Sequence, residues 1–380
     1  MKKGWKTGAL ADVCHVYQPE TISQKQMVPG EVPVYGANGK IGTHDRFNHE
    51  AEQLILGCRG SCGTVHVTEP RAWINGNAMV VQAKHGVMDV HFFAYALRGG
   101  VDINDAITGT AQPQITRTSL MPIPISYPES VLEQQRIVSI LDEAFEGLAT
   151  AKANAEKNLQ SARAIFESHV HTVFSQRGKG WVERVLCDVC DFENGDRGKN
   201  YPNREEYVSV GIPWINTGHI QPDGTLSQDE MNFITRAKFD SLRGGKIQPG
   251  DLVYCLRGAT LGKTAIVDPY AEGAVASSLV IIRPSDLVDS RFLFFFLVSP
   301  YGQSQIKLYE NGAAQPNLGA KSVAKFLIPI PARTEQRRVA NCLDELRTET
   351  QRLAALYEQK QAALEALKKS LLHQAFNGEL

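Results

Sequence analysis

The chain sets out the same plan twice. GWKTGALADVC (Gly4 to Cys14) is answered by GWVERVLCDVC (Gly180 to Cys190), VPVYGANG from Val32 by IPWINTGH from Ile212, and Arg59-Gly60 by Arg257-Gly258. VMDVHFFAYAL from Val87 then faces VDSRFLFFFL from Val288, and TGTAQPQITRTSLMPIPI from Thr108 faces NGAAQPNLGAKSVAKFLIPI from Asn311. EQQRIVSILDEAF from Glu133 faces EQRRVANCLDEL from Glu335, and SHVHTVFSQRGKG from Ser168 faces SLLHQAFNGEL from Ser370. The order is identical in both halves, so one unit has been duplicated and the fold must contain two related cores.

Each unit has two parts of different periodicity. The first is rich in short β-type runs punctuated by Gly, Pro, Asn and Asp: QLILGCR, GTVHVT and AMVVQA, then DLVYCLR, KTAIVD and SLVIIRP. These predict a mixed sheet domain with one short aromatic helix at FFAYAL or FLFFFLV, buried because so apolar a run would aggregate if exposed. Pro124, Pro128 and Pro331 close the sheet parts, and no proline follows in Val131 to Gln176 or Thr334 to Asn377. Each of these stretches predicts one helix of about forty residues, roughly 60 Å long. The apolar stripe of the first runs through Ile137, Ile140, Leu141, Ala144, Leu148, Ala151, Ala155, Leu159 and Ala162. That of the second runs through Val339, Leu343, Leu346, Leu353, Leu356, Leu364, Leu367 and Leu371.

A polar-faced helix of that length is not stable alone, so the two should pair as a coiled coil. The first carries the chain from one sheet domain to the next and the second carries it away again, so the pair runs antiparallel. The expected fold is α+β: two pseudo-symmetric mixed sheet domains over 1–128 and 177–330, joined by long helices over 129–176 and 331–380.

The sequence carries no constellation that assigns catalysis. RGATLGKT from Arg257 imitates a phosphate-cradling loop, but Arg257 stands where its first glycine belongs, β-branched TAIVD follows instead of a helix, and the sister segment RGSCGTV has no lysine. A tight turn between strands is the better account. Asp268-Pro269-Tyr270 is one proline short of a base-methylating loop, no Gly-rich cofactor loop accompanies it, and His44, His66, His171 and His219 lack carboxylate partners at meaningful spacing. Cys187 and Cys190 have zinc spacing, yet the sister segment LADVC carries Ala11 in place of Cys187, which favours small buried hydrophobes. Seven cysteines, an odd count, argue for reduced thiols. No apolar run approaches the ~20 residues of a membrane span, and MKKGWKTGALADV lacks the features of a signal peptide, so the chain reads as cytoplasmic.

The repeated loops instead carry hydrogen-bonding vocabulary. Arg reads guanine, Asn and Gln read adenine, and Lys, Ser and Thr hold phosphates. In the first domain the candidates are Lys40, His44, Arg46, Arg59, Ser61, Asn75, Asn77, Gln112, Gln114 and Arg117. In the second they are Asn216, Thr217, His219, Arg257, Thr260, Lys263, Gln315, Asn317 and Lys321. For any one of them the alternative is a turn residue satisfying local backbone. Arg59 and Arg257 stand out because both copies place them at a strand end beside glycine. A net charge of −1 is unusual for a chain that holds nucleic acid unaided, and implies segregated positive charge or partners that supply phosphate contacts.

Taken in order, TGTAQPQ and NGAAQPN, MPIPI and LIPIP, EQQRIVSILDEA and EQRRVANCLDEL, and the terminal HQAFNGEL resemble the specificity subunit of type I restriction-modification enzymes over essentially the whole chain. The resemblance implies that each sheet domain reads one half of a bipartite, asymmetric DNA site while the helices set the spacer. It further implies two modification (methyltransferase) subunits docked on the helices, forming an adenine-N6 methyltransferase, and restriction subunits for ATP-driven translocation and cleavage. The chain itself would be non-catalytic and hold no cofactor. The rival is a coiled-coil scaffold with two protein- or ligand-binding heads and no role on DNA.

Overall fold

The computed structural model describes residues 4–109, 112–309 and 317–380. Four helices organise it: α1 (Val90–Tyr95), α2 (Val131–Gln176), α3 (Ser290–Val298) and α4 (Arg333–Asn377). The chain forms two compact units, one of residues 1–156 with 358–380 and the other of residues 157–357.

In the first unit the antiparallel order is Cys14–Tyr17, Ala78–Ala83, Leu54–Gly57, Val65–Val67. A second sheet places Val32–Gly36 between antiparallel Gly39–His44 and parallel Trp73–Ile74. Trp5–Ala9 pairs with Pro124–Pro128, which carries the Pro-Ile-Pro stretch back beside the chain's beginning. The second unit repeats the scheme. Its order is Cys190–Asn194, Leu279–Pro284, Leu252–Cys255, Thr264–Ile266, its second sheet sets Ile212–Ile215 against parallel Ala274–Val275, and Val182–Val185 pairs with Leu327–Ile330. The fold is α+β, with mixed sheets and two long helices, as the repeats predict.

Each core is closed by helical segments from two places in the sequence. In the first unit Phe92 and Phe93 of α1 pack with Ile137 and Leu141 from the start of α2 and with Ala375 and Phe376 from the end of α4. Gly100 is required there, since a Cβ would lie 2.4 Å from the Phe376 ring. In the second unit Phe292, Phe295 and Phe296 of α3 pack with Val339 and Leu343 from the start of α4 and with Phe174 from the end of α2. Within each unit, therefore, the beginning of one long helix lies beside the end of the other, which is the antiparallel arrangement. In the first unit Lys152 Nζ meets Glu365 at 2.6 Å and Arg136 donates to the Leu380 carbonyl at 2.9 Å.

Two expectations need correction. Leu356 and Leu367 are 51% and 47% exposed. The inward face of α4 steps through Leu343, Arg347, Thr350, Ala354, Tyr357, Gln361 and Leu364, alternating four and three residues, so the heptad seam recruits polar and small side chains that a search for leucine passes over. Cys187 is exposed whereas Cys190 is buried, its thiol pushed up to about 12 by desolvation. Among the described residues no helix is long and apolar enough to cross a membrane.

Candidate nucleic-acid interface

The two residues that follow each A-Q-P, Gln114-Ile115 and Asn317-Leu318, form a strap across the end of a central strand. In the first unit Gln114 forms an isolated antiparallel bridge with Arg59, and the Ile115 N–H donates to the Cys58 carbonyl at 3.0 Å. The N–H groups of Cys58 and Arg59 both donate to the Asn77 carbonyl, at 3.1 and 3.3 Å. In the second unit Asn317 bridges Arg257, Leu318 N–H donates to the Leu256 carbonyl at 2.9 Å, and Leu256 N–H donates to the Ser278 carbonyl at 2.9 Å. Ile115 and Leu318 are buried and anchor each strap in its core. The following glycines, Gly60 (φ +76°) and Gly258 (φ +73°), adopt left-handed conformations with nothing near a hypothetical Cβ, so backbone geometry and not space selects glycine after each arginine.

This construction pins the backbone of Arg59 and Arg257 while leaving their side chains exposed. Neither guanidinium makes a hydrogen bond or ion pair among the described residues, and the same holds for the side chains of Gln114, Arg117 and Asn317. In the first unit Arg59, Gln114 and Arg117 line one hollow of about 340 Å³ together with Tyr17, Gln18 and Thr116. Rigid backbone carrying unspent donors is the arrangement that base reading requires, because an ordered loop loses little entropy on binding.

The structure takes three candidates out of reach. His44 is 2% exposed: its Nδ1 accepts from the Val28 N–H at 3.0 Å and its ring stands edge-on to Trp73. Asn75 is 4% exposed and is spent on both backbone groups of Ile22. His219 is 4% exposed, and its Nδ1 accepts from the Asn216 N–H at 3.1 Å. Desolvation holds the His219 ring below the ordinary imidazole range. All three are struts within loops and not readers.

The remaining candidates fall into separate groups. Lys40 is exposed but paired with Glu69 at 3.2 Å, and Arg46 is exposed beside Asp45 at 3.5 Å. Ser61 sits half-buried in the Arg59 turn, while Asn77 and Gln112 are exposed on the edge. In the second unit Asn216 and Thr217 are half-buried, with Asn216 Oδ1 accepting from Gly218 N–H, and Thr260 turns its hydroxyl back to the Arg257 carbonyl. Lys263 is exposed in a cleft of about 670 Å³ within that unit, together with Arg163, Phe294 and Arg347. Lys321 is exposed on the short helix after Asn317. Gln315 lies outside the described residues.

Tyr17 and Gln18 went unnoticed in the sequence, because a residue's place at a strand end gives no sign of which loop will meet it. Gln134 and Gln336 of the E-Q-x-R motifs were missed as well. Both are fully buried. Gln134 accepts from Asp89 N–H at 2.7 Å and donates to the carbonyls of Val87 and Pro128 at 3.1 and 2.8 Å. Gln336 does the same with Asp289, Leu287 and Pro331 at 2.8, 3.0 and 2.9 Å. Asp89 and Asp289 in turn cap α1 and α3. Each glutamine thus staples the start of a long helix to the aromatic helix of its sheet domain, and the duplicated motif is its only outward sign.

Two pseudo-symmetric sheet domains, each presenting a strapped edge of unspent Arg with Gln in the first and Asn in the second, and each sealed by paired long helices, define a tandem recognition protein for nucleic acid. Residues 2–159 and 178–365 match the model of the type I restriction modification DNA specificity domain. The chain belongs to that family. It is 21% identical over 359 residues to the MjaVIII specificity subunit of Methanocaldococcus jannaschii, covering 90% of this chain and 82% of that one. It is 24% identical over 371 residues to a putative specificity subunit of Haemophilus influenzae, covering 93% and 90%. In fold it is similar to the HsdS subunit of Thermoanaerobacter tengcongensis, with a TM-score of 0.63 at 18% identity over 100% of this chain and 98% of the other. It is similar also to a chain from a study of assembly and conformational transition in the type I restriction-modification system, with a TM-score of 0.78 at 17% identity over 100% and 99%.

Proposed function

We propose that each sheet domain reads one half of a bipartite, asymmetric DNA site through its strapped edge, Arg59, Gln114 and Arg117 in the first domain and Arg257 and Asn317 in the second. The chain is a type I restriction-modification specificity subunit; it supplies DNA sequence recognition, and the catalytic activities reside in other subunits. Its partners are double-stranded DNA, two modification subunits docked on the long helices, and ATP-dependent restriction subunits. The helices set the number of unread base pairs between the half-sites, and the complex works in the cytoplasm. S-adenosylmethionine and ATP belong to those partners. With a net charge of −1, the chain leaves much of the phosphate binding to the modification subunits.

The observation that carries this reading is the duplicated strap. Two domains that differ elsewhere hold an arginine in the same pinned, unpaired state, followed by the same left-handed glycine. The straps also differ, Gln114 against Asn317, which fits half-sites of different sequence. The test is to map methylated adenines in cells with and without the gene, then measure binding of the chain with its modification subunits to that site and to random duplex across a salt series. Selective, salt-dependent binding is expected. Absent or salt-insensitive binding with and without the modification subunits would favour the scaffold instead.

A further inference from the structure

The second unit contains a hollow of about 510 Å³ lined by Tyr201, Arg204, Tyr207, Trp214, Asn216 and Asn232. Trp214 is 1% exposed and forms its floor, with the Tyr201 ring edge-on to it at 5.3 Å between centroids. The walls are held in place before anything binds. Tyr201 N–H donates to the Gly198 carbonyl at 3.0 Å, Asn200 donates to the Ser241 carbonyl at 2.6 Å, and Glu206 joins Asn203 N–H to Lys238. The polar corner is ordered by buried His219, which accepts from Asn216 N–H at 3.1 Å and lies 3.4 Å from the Asn232 amide. Among the described residues the Asn216 amide N–H₂, the Arg204 guanidinium and both tyrosine hydroxyls have no hydrogen-bond partner.

This hollow adjoins the reading edge and has no counterpart in the frame that the two halves share. Ala276 N–H donates to the Ile215 carbonyl, next to Asn216, and Leu256 N–H donates to the Ser278 carbonyl, next to Arg257. One short segment, residues 276–278, thereby joins hollow and strap. In the first domain the aligned positions of Trp214 and Asn216 are Val34 and Gly36, so the aromatic floor and the carboxamide exist only in the second. A feature confined to one reader belongs to what makes that reader different.

We propose that this hollow holds a single nucleobase swung out of the duplex in the half-site read by the second domain, a base other than the adenine that is methylated. The half-buried rings of Tyr201 and Tyr207, backed by buried Trp214, suit a base that has lost its stacking neighbours, and two carboxamides match the donor and acceptor edge of a base that has lost its pair. The Arg204 guanidinium on the rim is placed for the phosphate of that nucleotide. The same lining chemistry also suits a sugar ring; what favours a base is the position of the hollow beside the strapped edge, joined to it through residues 276–278. The proposal rests on the reading of the strapped edge as a DNA-reading surface.

The test uses the full chain assembled with its modification subunits and the site known from methylation mapping. Base pairs of the second half-site are mispaired one at a time and dissociation constants compared with the matched duplex. A base that must leave the stack leaves more easily when mispaired, so binding should tighten about tenfold at one position distinct from the methylated adenine. Arg204→Ala, at an exposed side chain without structural partners, and Tyr201→Leu should abolish that tightening and leave the first half-site unaffected. Selective binding with weakening at every other mispair, or tightening that survives both variants, would overturn the pocket and spare the strapped edge. Loss of all preference over random duplex would bring down both.

Discussion

Arg59 and Arg257 share one construction at the scale of a single residue, and it is the one that the proposed reading of DNA calls for. Their backbones are fixed by a bridge to the strap, their side chains are unpaired, and a glycine with φ near +75° follows each. Arg257→Ala should weaken or relax recognition of one half-site only, by roughly 1–3 kcal/mol if the guanidinium spans a guanine edge. Binding to permuted half-sites checks this, since an equal loss on every sequence would mark a phosphate contact instead. The pair was legible because both copies keep Arg-Gly at a strand end. His44, Asn75 and His219 were misread for the opposite reason: residue type announces a hydrogen-bonding capacity but not whether the fold has already used it. His219 makes the difference measurable. Its folded ring takes up a proton less readily than the ordinary 6.5 of an exposed imidazole. The unfolded chain therefore protonates first as pH falls below about 6.5, and its contribution to stability, complete above that pH, declines towards the lower folded value. Thermal unfolding of the second unit should lose stability between pH 7 and 5 more steeply in the native chain than in His219→Gln. Equal slopes would show that the buried ring titrates normally.

At the scale of elements, the staple glutamines explain why E-Q-x-R is written twice. Each satisfies two carbonyls and one N–H at the junction of a long helix with an aromatic helix, the proline carbonyl buried and the other two groups part-buried. Gln134→Leu or Gln336→Leu keeps the bulk but leaves those three groups unpaired, at a cost of about 3 kcal/mol or more. Calorimetry should show the unfolding transition of the affected unit lowered by roughly 5–10 °C; a shift under about 2 °C would mean that the staple is incidental. Strand and helix identities were legible at this scale because turn residues and duplicated spacing bound them. The seam of α4 was not. Leu356 and Leu367 attract the eye, while Thr350, Ala354 and Gln361 sit inward, because a heptad fixes positions and the partner helix decides what size fits. The closure of each core by the far end of the other long helix, Phe376 beside Phe92 and Phe174 beside Phe292, joins residues more than a hundred positions apart and leaves no local periodicity to read.

For the whole molecule the consequence lies in how α2 and α4 are shared. Each begins in one compact unit and ends in the other, since the division falls after residue 156 in α2 and after residue 357 in α4. The duplication made this sharing legible in outline, as a repeated unit ending in a long helix must hand that helix to something. If the helices set the gap between half-sites, lengthening them must lengthen the gap and leave both read sequences alone. An insertion in one helix would throw its four-three seam out of step with its partner, so the change has to be made in both. Four added residues extend an α-helix by about 6 Å, close to two base pairs at about 3.4 Å each. Cells carrying this variant should therefore methylate adenines in the same two half-sites separated by one or two additional base pairs, which sequencing of methylated adenines would reveal. Methylation at the original spacing would mean that the gap is set elsewhere, in the sheet domains or in the modification subunits. Loss of one half-site with the other retained would mean that the helices hold the readers' orientation but do not measure their distance.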